Sequence, residues 1–227
     1  MKIGILQTGH SPENMIEAMG DYDQIFKTML AGHDFEFVTY PVVDNRFPDG
    51  AEAAEGWLIT GSKHGAYEDH PWIPPLEDLV RDIVAKKLPL VGICFGHQII
   101  AQALGGKVEK FPGGWSVGPT QYQTGKDTVT LNAWHQDQVT ELPESARVLG
   151  SNAFCKNAIL AYGDTVWTVQ PHPEFSADFV DGLIRTRGRG LVPDAILDAA
   201  AAQLATPNNN RDMADHIAAF FKNGSLQ

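Results

Sequence analysis

Residues 88–105 read Leu-Pro-Leu-Val-Gly-Ile-Cys-Phe-Gly-His-Gln-Ile-Ile-Ala-Gln-Ala-Leu-Gly, and no other stretch limits the fold as tightly. The first six residues are apolar and partly β-branched, the pattern of a short strand buried in a parallel sheet. Beyond Gly96 the apolar positions change to helical spacing, with Ile99, Ile100, Ala103 and Leu104 on one side. Gly105 and Gly106 stand where a helix stops on a left-handed residue. Strand and helix are joined by Gly92-Ile93-Cys94-Phe95-Gly96. A turn that sharp brings backbones together, and glycines two before and two after its centre remove the side chains that would collide.

The central cysteine takes three properties from this geometry. It is held in a strained conformation, at about 1–3 kcal/mol, and projected out of the fold. It stands at a helix N-terminus, where unpaired amides and the macrodipole favour thiolate over thiol. The amide of Phe95, next in the chain, points where an oxyanion would form. A lone cysteine is ordinarily a buried structural residue, and Cys94 with His97 also has the look of half a metal site. No partner Cys/His pair occurs elsewhere, so no metal ligand is assigned. The flanking glycines favour a nucleophile.

The chain has 227 residues, enough to bury one core. No repeat, low-complexity tract or composition shift divides it, so 1–227 is expected to be a single domain. Seventeen basic residues against 28 acidic ones give a formal net charge of −11. That argues against nucleic acid and anionic membrane as main partners, since both demand a basic face. The one basic cluster, Arg185, Arg187 and Arg189, falls at the end of an expected helix and reads as a cap compatible with the dipole. There is no run of 18 apolar residues to span a membrane, and the N-terminus lacks the apolar region of a signal peptide. Of the two cysteines, Cys94 is needed as a free thiol, which fits a reducing, cytoplasmic location.

Around the elbow the elements alternate. Residues 2–7 form a first strand, and 8–12 a loop at its C-terminal end. A helix is expected over 13–30, with Met15, Ile16, Met19, Ile25, Phe26 and Met29 facing inward, and strands follow at 35–40 and 57–60. The loop 61–72, Gly-Ser-Lys-His-Gly-Ala-Tyr-Glu-Asp-His-Pro-Trp, lies at the C-terminal edge of the sheet, where open α/β sheets bind ligands. Its side chains read as a plain connection. The backbone of Gly61 is the exception, because a glycine beside a nucleophile lets a substrate carbonyl approach. A helix over 73–87, started by Pro74 and Pro75, leads into the elbow strand. This rhythm implies right-handed βαβ units and a parallel sheet. From 107 to 170 the character changes to short β-like runs at 117–123, 128–131, 146–150, 158–162 and 165–170, read as an antiparallel extension of that sheet. The remainder, about 176–223, is helical.

A cysteine nucleophile needs a general acid/base, and the base needs an orienting group. Among eight histidines His172 stands out. The strand 165–170 ends abruptly at Pro171-His172-Pro173-Glu174, where two prolines fix the backbone. Two residues apart in an extended segment, His172 and Glu174 lean to the same side. By itself the pair is a weak signal; beside an elbow cysteine it becomes specific.

Gly92-Ile-Cys94-Phe-Gly96-His97-Gln98 followed by His172-Pro-Glu174 resembles a class I glutamine amidotransferase domain, over Lys2 to about Arg185. The resemblance implies a flavodoxin-like, open and mainly parallel α/β sheet with helices on both faces. It also implies a Cys94-His172-Glu174 triad attacking the γ-carboxamide of glutamine, with the backbone of Gly61 and Phe95 as oxyanion donors. Gln98 and the stretch Trp115, Ser116, Val117 would correspond to substrate contacts. Trp134-His135-Gln-Asp-Gln-Val139 is similar to the histidine loop of GMP-synthase-type members, which places His135 near substrate, with a structural loop histidine as the slightly weaker alternative.

GMP-synthase domains carry Gly-Gly-Pro in the oxyanion loop, whereas this chain has Gly61-Ser62-Lys63-His64, closer to stand-alone members such as the plant γ-glutamyl peptidases. The expected activity is hydrolysis of a γ-glutamyl amide, in glutamine or a γ-glutamyl peptide, through a thioester, with no metal or organic cofactor. Two alternatives stand: a glutaminase subunit delivering ammonia to a separate synthetase partner, and a non-catalytic module of the same fold.

Overall fold

In the computed structural model, which describes residues 1–226, the elbow strand becomes the centre of a seven-stranded sheet. The N-terminal half supplies β1 (Lys2–Leu6), β2 (Glu36–Tyr40), β3 (Gly56–Ile59) and β4 (Leu90–Ile93), all parallel. After β1 come α1 (Glu13–Met19) and α2 (Tyr22–Met29), after β3 comes α3 (Ile73–Ala85), and α4 (Phe95–Ala103) leaves β4 directly. The pleat sorts the strand side chains between two cores. Val91 and Ile93 join Ile3, Ile5 and Leu58 on one face, and Leu90 joins Leu6, Trp57 and Ile59 on the other. Leu76, Val80 and Ile83 of α3, with Ile99 and Ile100 of α4, close the second core.

The expected helix over 13–30 is two helices. Gly20, at φ 84°, ends the first, and Asp21 caps the second. The Asp21 carboxylate accepts from the backbone N–H of Tyr22 and of Ser11, each at 2.8 Å, and the Asp21 N–H donates to Gln24 Oε1 at 3.0 Å. Asp-x-x-Gln is a capping box, a signal present in the sequence but masked by the apolar spacing on either side. The break turns α1 away, so that Met19 is 37% exposed rather than inward.

The region after α4 departs further from expectation. It opens with β5 (Lys107–Lys110), β6 (Ser116–Thr124), β7 (Asp127–His135) and β8 (Asp137–Glu141), none of which joins the main sheet. β6 and β7 form a nine-pair antiparallel ribbon, and β5 pairs with β8. Only β9 (Ala146–Gly150), β10 (Ile159–Tyr162) and β11 (Val166–Val169) extend the large sheet, in the order β2-β1-β3-β4-β11-β10-β9. Of these, β11 is parallel to β4, and the antiparallel part is β10 and β9 alone. Apolar alternation announces a strand but not its partner, and a hairpin turning at Gly125 and Lys126 satisfies its backbone locally.

Three helices finish the fold: α5 (Ala177–Leu183), α6 (Asp194–Ala201) and α7 (Asn210–Asn223). From α7, Met213, Ile217, Phe220 and Phe221 close the first core against Phe26 and Leu30. Each fully buried side chain of this size contributes about 1.5–3 kcal/mol. The arginine cluster is more than a helix cap: Arg185 pairs with Asp181, and Arg189 reaches Asp194 and Asp198 of α6 at 2.8 and 2.6 Å. No helix among the described residues is long and apolar enough to cross a membrane.

Candidate active site

Cys94 is the N-cap of α4 at φ 52°, ψ −101°, a strained conformation for a residue with a side chain. Close approach demands both elbow glycines. A Cβ at Gly92 would lie 2.6 Å from the carbonyl oxygen of Gly96, and one at Gly96 would lie 2.4 Å from that of Ile59. The Gly96 N–H donates to Thr60 O at 3.1 Å, and the Cys94 N–H to Val169 O at 2.9 Å. The elbow is thus pinned to β3 on one side and β11 on the other.

Residues 171–174 are brought to the same place by the ribbon as well as by β11. The His172 N–H donates to Asn132 O of β7 at 2.7 Å. His172 Nδ1 and Glu174 Oε1 are 2.7 Å apart, with both side chains buried. The imidazole also stacks flat on Phe175, ring centroids 3.9 Å apart. Burial by itself would lower the His172 pKa, but the Glu174 carboxylate, and after it the Cys94 sulfur, outweigh burial and push it up to about 10. These charges favour an imidazolium facing the Cys94 sulfur.

Gly61 closes the third side, at the end of β3. Thr8, following β1, holds this corner: its hydroxyl donates to Thr60 O at 2.9 Å or Gly61 O at 3.0 Å, while its N–H donates to Thr60 Oγ1 at 3.0 Å. Neither the Gly61 nor the Phe95 amide donates to a backbone acceptor among the described residues. Both remain available to a bound oxygen.

Cys94 and His172 open onto a cavity of about 250 Å³ that also exposes parts of Gln98, Trp115 and His135. Gln98 is only 3% exposed, and its Nε2 donates to Asp137 O at 2.9 Å and to Gln170 Oε1 at 3.1 Å. His135 is equally buried, and neither ring nitrogen has a hydrogen-bond partner among the described residues. Burial, reinforced by the charge of His172, lowers its pKa to about 3, so it is a neutral ring. Ser116 and Val117 are elsewhere: they line a separate surface groove with Ala195 and Ala199, because β6 runs beneath α6 and only Trp115, ahead of the strand, borders both spaces.

The sequence reading passed over several cavity residues. Lys63, Lys110 and Arg187 bring positive charge, and Tyr22 an aromatic wall. They come from the loop after β3, the end of β5, the turn after α5 and the start of α2, and no spacing in the sequence links such positions.

Taken together, these groups make a site suited to attack on a carbonyl carbon through sulfur: a strained elbow cysteine, a charged imidazole and two undirected amides. The glutamine amidotransferase class-I family model matches residues 31–181, and the chain belongs to that family. It is 30% identical to a glutamine amidotransferase-like protein of Schizosaccharomyces pombe, over 96% of this chain and 97% of that one. It is 29% identical to γ-glutamyl peptidase 3 of Arabidopsis thaliana, over 85% of this chain and 84% of the relative. Among solved structures, the glutamine amidotransferase of Methylobacillus flagellatus superposes with a TM-score of 0.76 at 22% identity, covering 100% of this chain and 95% of that one, a likeness of fold.

Proposed function

We propose that this chain hydrolyses γ-glutamyl amide bonds through a thioester on Cys94. Cys94 attacks as the thiolate, its proton already carried by His172: Sγ bonds to the γ-carbonyl carbon, and the carbonyl oxygen takes the negative charge between the amides of Phe95 and Gly61. Each such donor is worth about 2.7–4 kcal/mol in the transition state. His172, held through Nδ1 by Glu174, gives its proton to the departing nitrogen, and the C–N bond breaks. It then takes a proton from water, which attacks the thioester; the C–S bond breaks, glutamate leaves and the thiolate–imidazolium pair is restored. Nothing in these steps calls for a metal or an organic cofactor.

The observation carrying this reading is the buried 2.7 Å contact of His172 with Glu174 beside a cysteine at φ 52°. Lys63, Lys110 and Arg187, with Glu68 and Asp137, around the cavity support a ligand bearing both a carboxylate and an ammonium group, as a γ-glutamyl compound does. Gln98, Trp115 and His135 would face it, whereas Ser116 and Val117 do not line the cavity and are not among the contacts proposed. The whole chain acts as one catalytic unit in this proposal, since α7 shares a core with β1 and β4.

Kinetics on the purified chain test it, with glutamine and γ-glutamyl dipeptides as substrates, glutamate release as readout, and no ATP or second protein. Turnover of at least one of them is expected. Silence on all of them with Cys94 still open to alkylation would favour an ammonia-delivering subunit whose synthetase partner completes the site. An inert Cys94 would favour a non-catalytic module.

A further inference from the structure

We propose that His64, Glu68 and His70, on the loop between β3 and α3, form a divalent-metal site of the zinc class at the mouth of the Cys94 cavity. His64 Nδ1 lies 3.3 Å and His70 Nε2 lies 2.7 Å from the same carboxylate oxygen, Glu68 Oε2. One donor atom from each of the three residues falls within 4.8 Å of the others. Tetrahedral zinc, bonded to nitrogen and oxygen at about 2.0–2.2 Å, separates its ligands by about 3.3–3.5 Å, so small side-chain rotations close the site. An isolated surface ion pair needs one imidazole, and the second goes unexplained by that reading.

The loop holds these donors in place. His70 stacks on the buried Trp72 with ring centroids 5.8 Å apart and planes 11° from parallel. His64 meets His70 edge-on at 4.3 Å and Trp72 at 5.9 Å. Backbone bonds from Glu68 N–H to Gly65 O at 3.1 Å and from Ile73 N–H to His70 O at 3.1 Å fix the turn between them. Two imidazoles and one carboxylate suit zinc better than calcium or magnesium, which favour all-oxygen shells. Three protein ligands would leave a fourth position on the ion, and His64 and Glu68 border the cavity.

The same contacts give the metal a role. Trp72 packs against Phe95, ring centroids 5.4 Å apart, and Phe95 carries one of the two amides assigned to the oxyanion. Gly61, carrying the other, begins the loop that the metal would close. A bound ion would act as a clamp on both walls of the oxyanion site without entering the chemistry.

The test uses the full chain with Cys94→Ala, stripped with a chelator, because Cys94 and His172 could themselves hold zinc. Calorimetric titration with Zn²⁺ should show one ion per chain, and hydrogen exchange over residues 61–72 should slow on binding. His64→Ala and His70→Ala should each weaken binding by more than the roughly 10–100-fold that outer partners of a metal site carry. Glu68→Gln, which keeps the shape and removes the charge, should weaken it as well and guards against misfolding of the alanine variants. No saturable binding in the Cys94→Ala chain would overturn the proposal. So would an affinity unchanged by His70→Ala, or zinc uptake that leaves exchange over 61–72 as it was. None of these readouts depends on hydrolysis, so they stand apart from the test of activity.

Discussion

A side chain at Gly61 would strike His172: a Cβ built there lies 2.9 Å from Cε1 of the imidazole and 3.7 Å from Cβ of Cys94. The two residues come from β3 and from the segment after β11, and the elbow of β4 lies between those strands. Gly61→Ala should therefore displace the imidazole while leaving the strand intact. A displacement of about 1 Å costs on the order of 100-fold in rate. We expect kcat/KM on a γ-glutamyl substrate to fall by about that factor with little change in Tm. Wild-type turnover in this variant would remove Gly61 from the oxyanion wall.

The two cysteines should differ sharply toward an electrophilic glutamine analogue. Cys94 borders the cavity, whereas Cys155 is buried in the core and burial pushes its thiol up to about 12. At neutral pH its thiolate is scarce and inaccessible. Peptide mapping should place the label on Cys94; label on Cys155 with Cys94 untouched would contradict the nucleophile assignment.

His172→Ala should abolish turnover. Glu174→Gln should lower it by roughly 10²–10⁴-fold while the fold persists, since an amide still occupies the place but no longer stabilises imidazolium. The same pair makes a pH prediction. The folded-state pKa of His172, about 10, exceeds its ordinary 6.5. The stability this shift contributes is complete below about pH 6.5 and is lost as pH rises toward 10. Denaturant titrations across that range should show the decline in wild type and a flatter profile in Glu174→Gln. Equal slopes would mean that the carboxylate does not set the His172 charge.

Asp21 joins the first loop to α2 through bonds from Ser11 and Tyr22 N–H, each at 2.8 Å, and from Gln7 Nε2 at 2.7 Å. Replacing a cap of this kind with alanine costs about 0.5–2 kcal/mol. Asp21→Ala should lower Tm accordingly. Burial raises the Asp21 pKa, but bonds from His10, Ser11, Tyr22 and Gln7 outweigh it, so the net shift is downward. The stability it adds is present above the ordinary carboxylate pKa and disappears as the solution is acidified. A variant as stable as wild type at neutral pH and in mild acid alike would show that the capping box is dispensable.

The elbow was legible because most of its demands are local: strand, turn and helix follow one another within residues 90–103, and Gly92 answers contacts inside that segment, while Gly96 answers Ile59 of the neighbouring strand β3. His172 and Glu174 were legible as a nearby pair beside two prolines, although a turn at 173–174, closed by the Phe175 N–H to His172 O at 3.4 Å, brings them together in place of the expected extended segment. Central strands and the apolar faces of α3 and α7 follow from spacing that any chain must bury. What spacing cannot carry is the partner of a strand or the company of a loop. It did not reveal that 116–124 pairs along its length with 127–135, or that Ser116 and Val117 turn toward α6 instead of the cavity. Nor did it gather Lys63, Lys110, Arg187 and Tyr22 at one opening. Those neighbours are fixed by long-range packing, in which each position is chosen by the whole set of buried contacts rather than by the residues beside it in the chain.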